Sequence, residues 1–200
     1  AEISVSYTKW IREIEKRHSL RIKQIFREGI SYNPKISILV PIYNPDQDHL
    51  QVMIKSVREQ TYRNWELCLV DDASTDSEIA IILKRWESKD SRIKVKIRKE
   101  NGHISHTSND ALMLATGAYC ALLDHDDLLH PEALTHIVSN INSHRRAKIF
   151  YSDEDKIDDS GIRFQPHFKS DFNRDLLYSQ NYISHLGVYQ IELMRKVGGF

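Results

Sequence analysis

The sequence lacks an excess of either charge, because 28 lysine and arginine residues balance 28 aspartate and glutamate residues over its 200 positions. A neutral chain has no global field that would attract nucleic acid or an anionic membrane, so a charged partner must be bound locally. The sequence also lacks an apolar stretch of about 20 residues and a charged-then-apolar signal segment. These absences predict a chain that neither crosses a membrane nor enters a secretion route.

Cysteine is scarce, and the two cysteines, Cys68 and Cys120, each lie in an apolar run. Such positions predict two buried, reduced thiols rather than a disulfide, which indicates a reducing compartment. We therefore predict a cytoplasmic protein. With 40% hydrophobic and 28% charged residues, the composition is that of an ordinary globular domain.

Two glycine-rich phosphate-binding motifs are also missing. No G-x-G-x-x-G follows a predicted strand, which excludes a dinucleotide oxidoreductase. The first predicted strand runs into Pro-Ile-Tyr-Asn-Pro at residues 41–45, where a sugar-nucleotide pyrophosphorylase would need a Gly-rich loop. A phosphoaspartyl phosphatase or receiver domain would explain aspartates at one strand end, but not the polar residues that follow the other strands.

Residues 7–26 place apolar side chains at three- and four-residue steps, which predicts an amphipathic helix that ends near Gly29. Such a helix with a basic polar face either attaches to a membrane surface or presents a solvated face while it packs on the next domain. Both interpretations stay open. We predict a helical extension with a linker over residues 1–33 and a second domain over residues 34–200. The basic residues of the polar face are Lys9, Arg12, Lys16, Arg17, Arg21, Lys23 and Arg27.

After the linker, short β-rich runs alternate with helical patterns. Strands are predicted over Lys35–Ile42, Glu66–Asp71, Arg92–Ile97, Ala118–Leu123 and Ile149–Ser152, and helices over Asp48–Gln60, Asp76–Trp86, the segment through Ala111 and Ala115, and Glu132–Asn142. A hairpin-type turn is predicted at Asp158–Gly161. The alternation is typical of βαβ units and predicts an α/β fold with a mostly parallel central sheet flanked by helices.

Polar residues follow most of these strands, and ligands of open parallel sheets bind beyond the carboxyl ends of the strands. A carboxylate at Asp72 can accept the N3–H of a uracil or thymine ring, and Tyr43 can stack beside that ring. Ser74 and Asp76 are instead expected to form a turn and a helix cap. The residues at or just after these strand ends are Pro41, Tyr43 and Asn44 for the first strand, Asp71 and Asp72 for the second, and Asn101 and Gly102 for the third.

The fourth predicted strand ends in Asp124-His125-Asp126-Asp127. Carboxylates this close to one another are unfavourable unless a cation or a hydrogen-bond donor lies between them. An Asp-x-Asp site with few protein oxygens suits Mg²⁺ or Mn²⁺, which also share phosphate oxygens with a substrate. We predict that Asp126 and Asp124 hold such an ion. Asp127 either belongs to the same site or caps the helix that begins near Pro131.

Taken together, these segments resemble family 2 glycosyltransferases of the GT-A fold. The resemblance covers about residues 34–200 and rests on residues 38–44, 71–76, 101–105, 109–112 and 123–127. Residues 151–156 and 180–185 are similar to the bacterial surface-polysaccharide branch, which includes O-antigen and rhamnosyltransferases. The resemblance implies inverting transfer of a hexose or deoxyhexose from a UDP- or dTDP-linked donor to a growing glycan. For that branch it also implies a lipid-linked acceptor at the inner face of the cell membrane.

The resemblance assigns roles to the polar strand ends. Asp126 would ligate the ion with support from Asp124, and the Asn101 loop would lie near the ribose or the diphosphate. The expected nucleotide-sugar-binding residues are Pro41, Tyr43, Asn44, Asp72, Asn101 and Asp124.

The carboxylate that takes the acceptor proton usually follows a Gly-Gly-Phe turn in this family, and that turn is residues 198–200 here. The base is therefore expected after Phe200, with the acceptor subdomain incomplete in the chain. Other candidates are Asp153, Glu154 and Asp155, which can equally be surface turn charges.

His185 is a further candidate ligand of the ion and can equally be a hydrogen-bonded core histidine. The alternative function is a noncatalytic transferase-like module that binds a nucleotide sugar or a partner.

Overall fold

The structure is a computed structural model of the chain. It describes residues 2–200, with the side chains of residues 7–27 and 29–200, so residue 1 of the predicted extension lies outside the described part. The chain forms two compact units. The hairpin unit comprises the chain up to Ser31 together with Tyr151–Gly187, and the sheet unit comprises Tyr32–Phe150 together with Val188–Phe200. The predicted domain boundary near residue 33 stays a prediction.

The sheet unit is built on a six-stranded sheet in the order β3-β2-β1-β4-β8-β5. Strand β1 pairs in parallel with both β2 and β4, and β2 pairs in parallel with β3. The predicted α/β class with a mostly parallel sheet is confirmed, and each predicted strand end agrees within one residue. The strands are β1 (Ile36–Ile42), β2 (Trp65–Asp71), β3 (Ile93–Ile97), β4 (Tyr119–Leu122), β5 (Ile149–Tyr151) and β8 (Gly187–Gln190), while β6 and β7 belong to the hairpin unit.

Four helices, α2 to α5, follow β1 to β4 in turn, and α7 follows β8. The Asp76 carboxylate accepts the N–H of Glu78 and caps α3, as predicted. Helix α5 has Glu132 at its N-cap position without a side-chain cap hydrogen bond, so the interpretation of Asp127 as the cap of this helix is wrong. The helices are α2 (Gln47–Arg58), α3 (Ser77–Lys89), α4 (His103–Leu114), α5 (Ala133–Ser143) and α7 (Ile191–Lys196), while α1 and α6 belong to the hairpin unit.

The core of the sheet unit lies around β1 and β2. Every residue of β2 is buried, which fits the near-continuous apolar run expected of a central parallel strand. Cys68 and Cys120 are buried free thiols, as predicted, and burial raises the pKa of each to about 12. Both thiols are therefore packing groups rather than nucleophiles.

Glu66 is a buried carboxylate in β2. Its oxygens accept hydrogen bonds from the Ser37 hydroxyl at 2.7 Å and the Thr116 N–H at 2.5 Å, and the Lys94 ammonium lies at 2.8 Å. Burial alone would raise the pKa of Glu66, but the hydrogen bonds from Lys94, Ser37 and Thr116 outweigh burial and lower the pKa from 4.5 to about 2. The carboxylate is thus held in its ionised form by protein donors.

The hairpin unit contains α1 (Glu2–Glu28), β6 (Glu154–Ile157), β7 (Arg163–His167) and α6 (Arg174–Ser179). Strands β6 and β7 pair antiparallel, and the Asp158 carboxylate accepts the N–H groups of Ser160 and Ile162 in the predicted turn. Helix α1 ends before Gly29, which has a φ of 91°, as predicted. None of the helices within residues 2–200 is both long and apolar enough to cross a bilayer.

Helix α1 packs on this hairpin through one face. The Tyr7 hydroxyl donates to Asp155 at 2.6 Å, and Arg163 pairs with both Asp155 and Glu15. The ring of Trp10 meets Phe168 edge-on, with centroids 5.0 Å apart. The basic side chains on the other side of the helix are exposed: Lys9, Arg12, Lys16, Arg17, Arg21, Lys23 and Arg27.

Candidate functional site

The strand order of the sheet reverses direction at β1, which has β2 on one side and β4 on the other. Such a switch point opens a crevice at the carboxyl ends of the strands. A cavity of about 210 Å³ lies there. Its lining comes from the ends of β1 and β4, from the first turns of α4 and from the turn that follows α7. The lining residues are Leu39 and Pro41 of β1, Leu122, Leu123 and Asp124 at the end of β4, Ile104, Ser105 and Ser108 of α4, and Phe200.

The end of β1 supplies Pro41 to the cavity, followed by Tyr43 and Asn44. Tyr43 is 47% exposed, so a face of its ring is accessible to a ligand. Asn44 adopts a left-handed φ of 45°, which asparagine tolerates better than most residues. The Asn44 N–H donates to the Ser74 hydroxyl, and its side-chain oxygen accepts the Thr75 N–H at 2.8 Å. Asn44 therefore ties the loop after β1 to the loop after β2.

The end of β2 holds two buried carboxylates. Asp71 accepts the Ser74 hydroxyl at 2.5 Å, so it serves the turn that follows the strand. Asp72 is 3% exposed, and its Oδ1 accepts the Gly102 N–H at 2.9 Å and lies 2.8 Å from Arg98 Nε. The protein itself neutralises Asp72.

Arg98 follows β3 and was missed by sequence reasoning. Its guanidinium also contacts Asp110, to which Lys96 is paired at 2.7 Å. Burial would raise the pKa of Asp110, but the hydrogen bonds from Lys96 and Arg98 lower it overall. The available signal was an arginine directly after the third strand, at the edge where the neighbouring strand ends in aspartates.

Asn101 and Gly102 form the entry to α4. The Asn101 amide donates to the Asp72 carbonyl at 3.4 Å and its oxygen accepts the His103 N–H at 3.2 Å. Helix α4 begins at His103, two residues after Asn101, so the loop before it is short. The early start brings Ile104 and Ser105 to the cavity as helical residues.

The end of β4 carries the second group of carboxylates. The Asp127 N–H donates to the Asp124 carbonyl at 3.3 Å, which closes a tight turn. One carboxylate oxygen of Asp124 and one of Asp127 lie within 4.8 Å of each other. The Asp126 side chain is 61% exposed, and its Oδ1 lies 3.8 Å from His125 Nδ1. The turn thus presents three carboxylates beside the cavity, of which Asp126 is the most open to solvent.

The Gly-Gly turn after α7 brings Phe200 to the cavity. The Asn109 side chain donates to the Phe200 carbonyl at 3.1 Å and accepts the Phe200 N–H at 3.0 Å. Gly199 has a φ of 90°, and a Cβ there would lie 2.1 Å from Asn109 Oδ1. The sequence does not indicate that Asn109 holds this turn, because Asn109 and Phe200 are 91 positions apart in the chain.

The remaining candidates lie in the hairpin unit. Asp155 is engaged by Tyr7 and Arg163, Glu154 by His167 and Lys169, and Asp153 by the Lys169 N–H at 2.8 Å. His185 is half-buried, and its carbonyl accepts the buried Lys169 ammonium at 2.5 Å. The structure therefore brings the predicted nucleotide-sugar and aspartate residues to one edge of the sheet unit, whereas these four residues belong to the hairpin unit.

Three comparisons with known proteins bear on this site. The family model described as Glycosyl transferase family 2 matches residues 37–197. An uncharacterised protein of Sinorhizobium fredii, y4gI, is 53% identical over 90% of the chain and 20% of its own length. The O-antigen biosynthesis protein RfbC of Myxococcus xanthus is 34% identical over 85% of the chain and 13% of its own length. The chain thus spans a fifth or less of the length of these two relatives.

A solved structure shows the same fold. The mannosyltransferase of Pyrobaculum calidifontis, in complex with GDP-Man and Mn²⁺, superposes with a TM-score of 0.65 at 20% identity, over 100% of the chain and 58% of its own. The predicted GT-A architecture is confirmed.

Proposed function

The chain belongs to glycosyltransferase family 2, and on that premise we propose that it transfers a hexose or deoxyhexose from a nucleotide diphosphate to a growing bacterial glycan, with inversion. One observation carries the proposal. A buried, oriented carboxylate at the end of β2 and a turn with the exposed Asp126 and the half-buried Asp124 after β4 flank the end of β1 at the switch point, beside a cavity. The two sides suit the two ends of a nucleotide diphosphate.

The β2 side binds the nucleoside. Asp72 accepts the N3–H of uracil or thymine, Tyr43 stacks on the ring, and Pro41, Asn44 and Asn101 complete the surface. The accessible ring of Tyr43 and the oriented carboxylate of Asp72 support this assignment. We propose a UDP- or dTDP-linked donor. Because guanine also carries a ring N–H and the Pyrobaculum neighbour was solved with GDP-Man, GDP belongs among the ligands to be tested.

The β4 side holds Mn²⁺ or Mg²⁺. Asp126 and Asp124 are the proposed ligands, with Asp127 beside them, and their hard oxygen atoms fit either ion. The exposure of Asp126 leaves room for water and phosphate oxygens in the coordination sphere. A bound ion would neutralise the departing diphosphate as a Lewis acid. Through such an ion, these carboxylates would hold the diphosphate end of the donor on the other side of β1 from its base.

We assign no base to the hairpin unit. Asp153, Glu154 and Asp155 each already accept hydrogen bonds from neighbouring groups, which supports a structural role for them. His185 stays a candidate ligand of the ion. The position after Phe200 that the family resemblance implies stays the proposed place of the carboxylate that takes the acceptor proton.

A titration tests the donor site. UDP, dTDP and GDP are titrated into the protein with and without Mn²⁺ by calorimetry, and the series is repeated with Asp126→Ala. Metal-dependent binding that Asp126→Ala abolishes supports the proposal, whereas no binding of any nucleotide would refute it. Binding without sugar transfer to any acceptor glycan would instead favour the noncatalytic module.

We further propose that the protein works at the cytoplasmic face of the membrane on a lipid-linked acceptor. Lys9, Arg12, Lys16, Lys23 and Arg27 are exposed along α1, and none of the five pairs with an acidic side chain within the described residues. Each basic residue near an anionic lipid surface contributes about 1 kcal/mol. Because the other face of α1 packs on the hairpin, the attraction is electrostatic adsorption rather than insertion.

Vesicle sedimentation tests the membrane proposal. Binding to vesicles that contain phosphatidylglycerol should fall in the charge reversals Lys16→Glu and Lys23→Glu. The matched reversals Lys55→Glu and Lys99→Glu, at exposed lysines of the sheet unit, should have little effect. Equal loss in both pairs, or equal binding to neutral phosphatidylcholine vesicles, would contradict the proposal.

A further inference from the structure

Arg98 joins two carboxylates behind the proposed nucleoside site. Its Nε lies 2.8 Å from Asp72 Oδ1, and its Nη1 lies 2.5 Å from Asp110 Oδ2. The Arg98 side chain is 19% exposed and that of Asp72 is 4% exposed. Charge-assisted hydrogen bonds in such buried surroundings are strong and directional, so the guanidinium is held at both ends.

We propose that Arg98 is a positioning residue for nucleobase recognition, which holds Asp72 by one oxygen so that the other is presented to the ring N–H of the base. The proposal rests on the proposed function and deepens it. It adds to the donor site a residue that touches neither the nucleotide nor the ion.

The contacts of Asp72 are one-sided. Both donors, Arg98 Nε and the Gly102 N–H, meet Oδ1, and no hydrogen bond to Oδ2 is found within residues 2–200. Two donors on one oxygen prevent rotation of the carboxylate about its last bond. The second oxygen is therefore oriented before a ligand arrives, which lowers the entropic cost of recognising the base.

Gly102 supports the same interpretation. Its φ of −125° is open to any residue, so the backbone does not require glycine here. A Cβ at this position would lie 2.2 Å from Arg98 Nη2 and 3.2 Å from the Cβ of His106. The arginine tip would have to shift, and the same guanidinium carries the contacts with Asp72 and Asp110. A Gly102→Ala change is thus a second way to disturb the two donors that hold Asp72, Arg98 Nε and the Gly102 N–H.

The distinguishing measurement is selectivity between UDP and CDP. Uracil has an N3–H that a carboxylate can accept, whereas cytosine has an unprotonated N3 that a carboxylate repels. Loss of the orientation of Asp72 should lower the affinity for UDP while that for CDP stays the same. A merely structural ion pair would change stability and would weaken both nucleotides alike.

The experiment measures dissociation constants of UDP and CDP with Mn²⁺ for wild type, Arg98→Met, Arg98→Lys, Gly102→Ala and Lys96→Met. Loss of an orienting partner behind a ligating group typically costs about 10- to 100-fold in affinity, and we expect about tenfold for UDP in Arg98→Met and Gly102→Ala. Arg98→Lys keeps a positive charge beside Asp72, so it should lose less affinity for UDP than Arg98→Met. Lys96→Met is the matched control, because Lys96 contacts Asp110 but not Asp72, and it should keep the preference for UDP.

The melting temperature and the affinity for inorganic pyrophosphate with Mn²⁺ show whether each variant is folded. If Arg98→Met is not folded, the result is read from Arg98→Lys and Gly102→Ala. If Asp72→Asn loses the preference for UDP while the Arg98 and Gly102 variants keep it, the role of Arg98 is overturned and the donor site stands. If wild type binds no nucleotide, both proposals fall. A preference that collapses equally in Lys96→Met would also overturn the proposal.

Discussion

At the end of β2, Asp71 and Asp72 are 2% and 3% exposed and accept hydrogen bonds from protein donors, whereas at the end of β4 the side chain of Asp126 is 61% exposed. The two acidic strand ends look alike in sequence, but their surroundings differ. A carboxylate held by Arg98 and a backbone N–H offers one directional acceptor. A carboxylate left in solvent can exchange water for an ion and for phosphate oxygens. Adjacent aspartates therefore need no metal where the protein supplies the donors.

The largest expected effect concerns Glu66, a third carboxylate that accepts hydrogen bonds from protein donors. Because its pKa falls from 4.5 to about 2 on folding, it adds stability that is present above pH 4.5 and is lost as the pH falls toward 2. Glu66→Gln should cost about 3 kcal/mol at neutral pH, since Ser37, Thr116 and Lys94 lose an ionised acceptor.

Urea unfolding between pH 7 and pH 3 measures this effect. The stability of wild type should decline more steeply than that of Glu66→Gln as the pH falls below 4.5. Parallel curves would show that Glu66 is not held as described. Glu87→Gln, at a more exposed carboxylate paired with Lys84, is the control and should change stability much less.

Substitution of the solvent-exposed carboxylate Asp126 should affect ligand binding rather than stability. Asp126→Asn should leave the metal-free melting temperature unchanged or slightly higher, because it removes a charge from a group of neighbouring carboxylates. It should weaken nucleotide binding in the presence of Mn²⁺ by about 100-fold, the upper end of effects at metal sites. A variant that loses stability but keeps Mn²⁺-dependent binding would contradict the assignment of Asp126 to the ion site. Asp48→Asn, at an exposed carboxylate of α2, is a suitable control.

Asp72→Asn should affect both stability and nucleotide preference. Arg98 loses one of its two carboxylates, so stability should fall by about 2 kcal/mol. The preference for UDP over CDP should fall by about tenfold, which corresponds to about 1.4 kcal/mol, while the dependence of binding on Mn²⁺ remains. Chemical unfolding and calorimetry measure the two effects separately. If the dependence on Mn²⁺ disappears as well, the assignment of base and ion to different strand ends is wrong.

The smallest effect concerns the rim of the cavity. Gly198 and Gly199 both have positive φ, but a Cβ meets nothing within 4 Å at Gly198 and lies 2.1 Å from Asn109 at Gly199. Alanine at either position should cost about 1 kcal/mol for the left-handed backbone. Gly199→Ala should cost about 1 kcal/mol more, since it displaces Asn109 from Phe200. Equal losses in thermal unfolding would show that the contact with Asn109 contributes nothing.

Much of the sheet unit could be predicted because its signals are local. Apolar runs such as residues 36–42 predict buried parallel strands, and Asp76 before an amphipathic segment predicts a helix cap. The placement of Tyr43, Asp72, Asn101 and the Asp124 turn at one edge follows from the alternation of strands and helices. The grouping of α1 with residues 151–187 did not follow, because the ion pairs of Arg163 with Asp155 and Glu15 join segments distant in the chain.

The sequence alone predicted the α/β class, the strands β1 to β5 and the edge of the sheet where polar residues gather, since these depend on periodicity and on residues next to one another. It did not predict β6, β7 and β8. Only the tertiary structure decided which aspartates are satisfied by the protein and which remain open. Asp72 is held because Arg98, from the next strand over, reaches it. Asp127 faces Asp124 rather than capping α5, because the tight turn after β4 closes on itself. Burial and donor supply are properties of the space around a residue, and the order of residues along the chain does not specify that space.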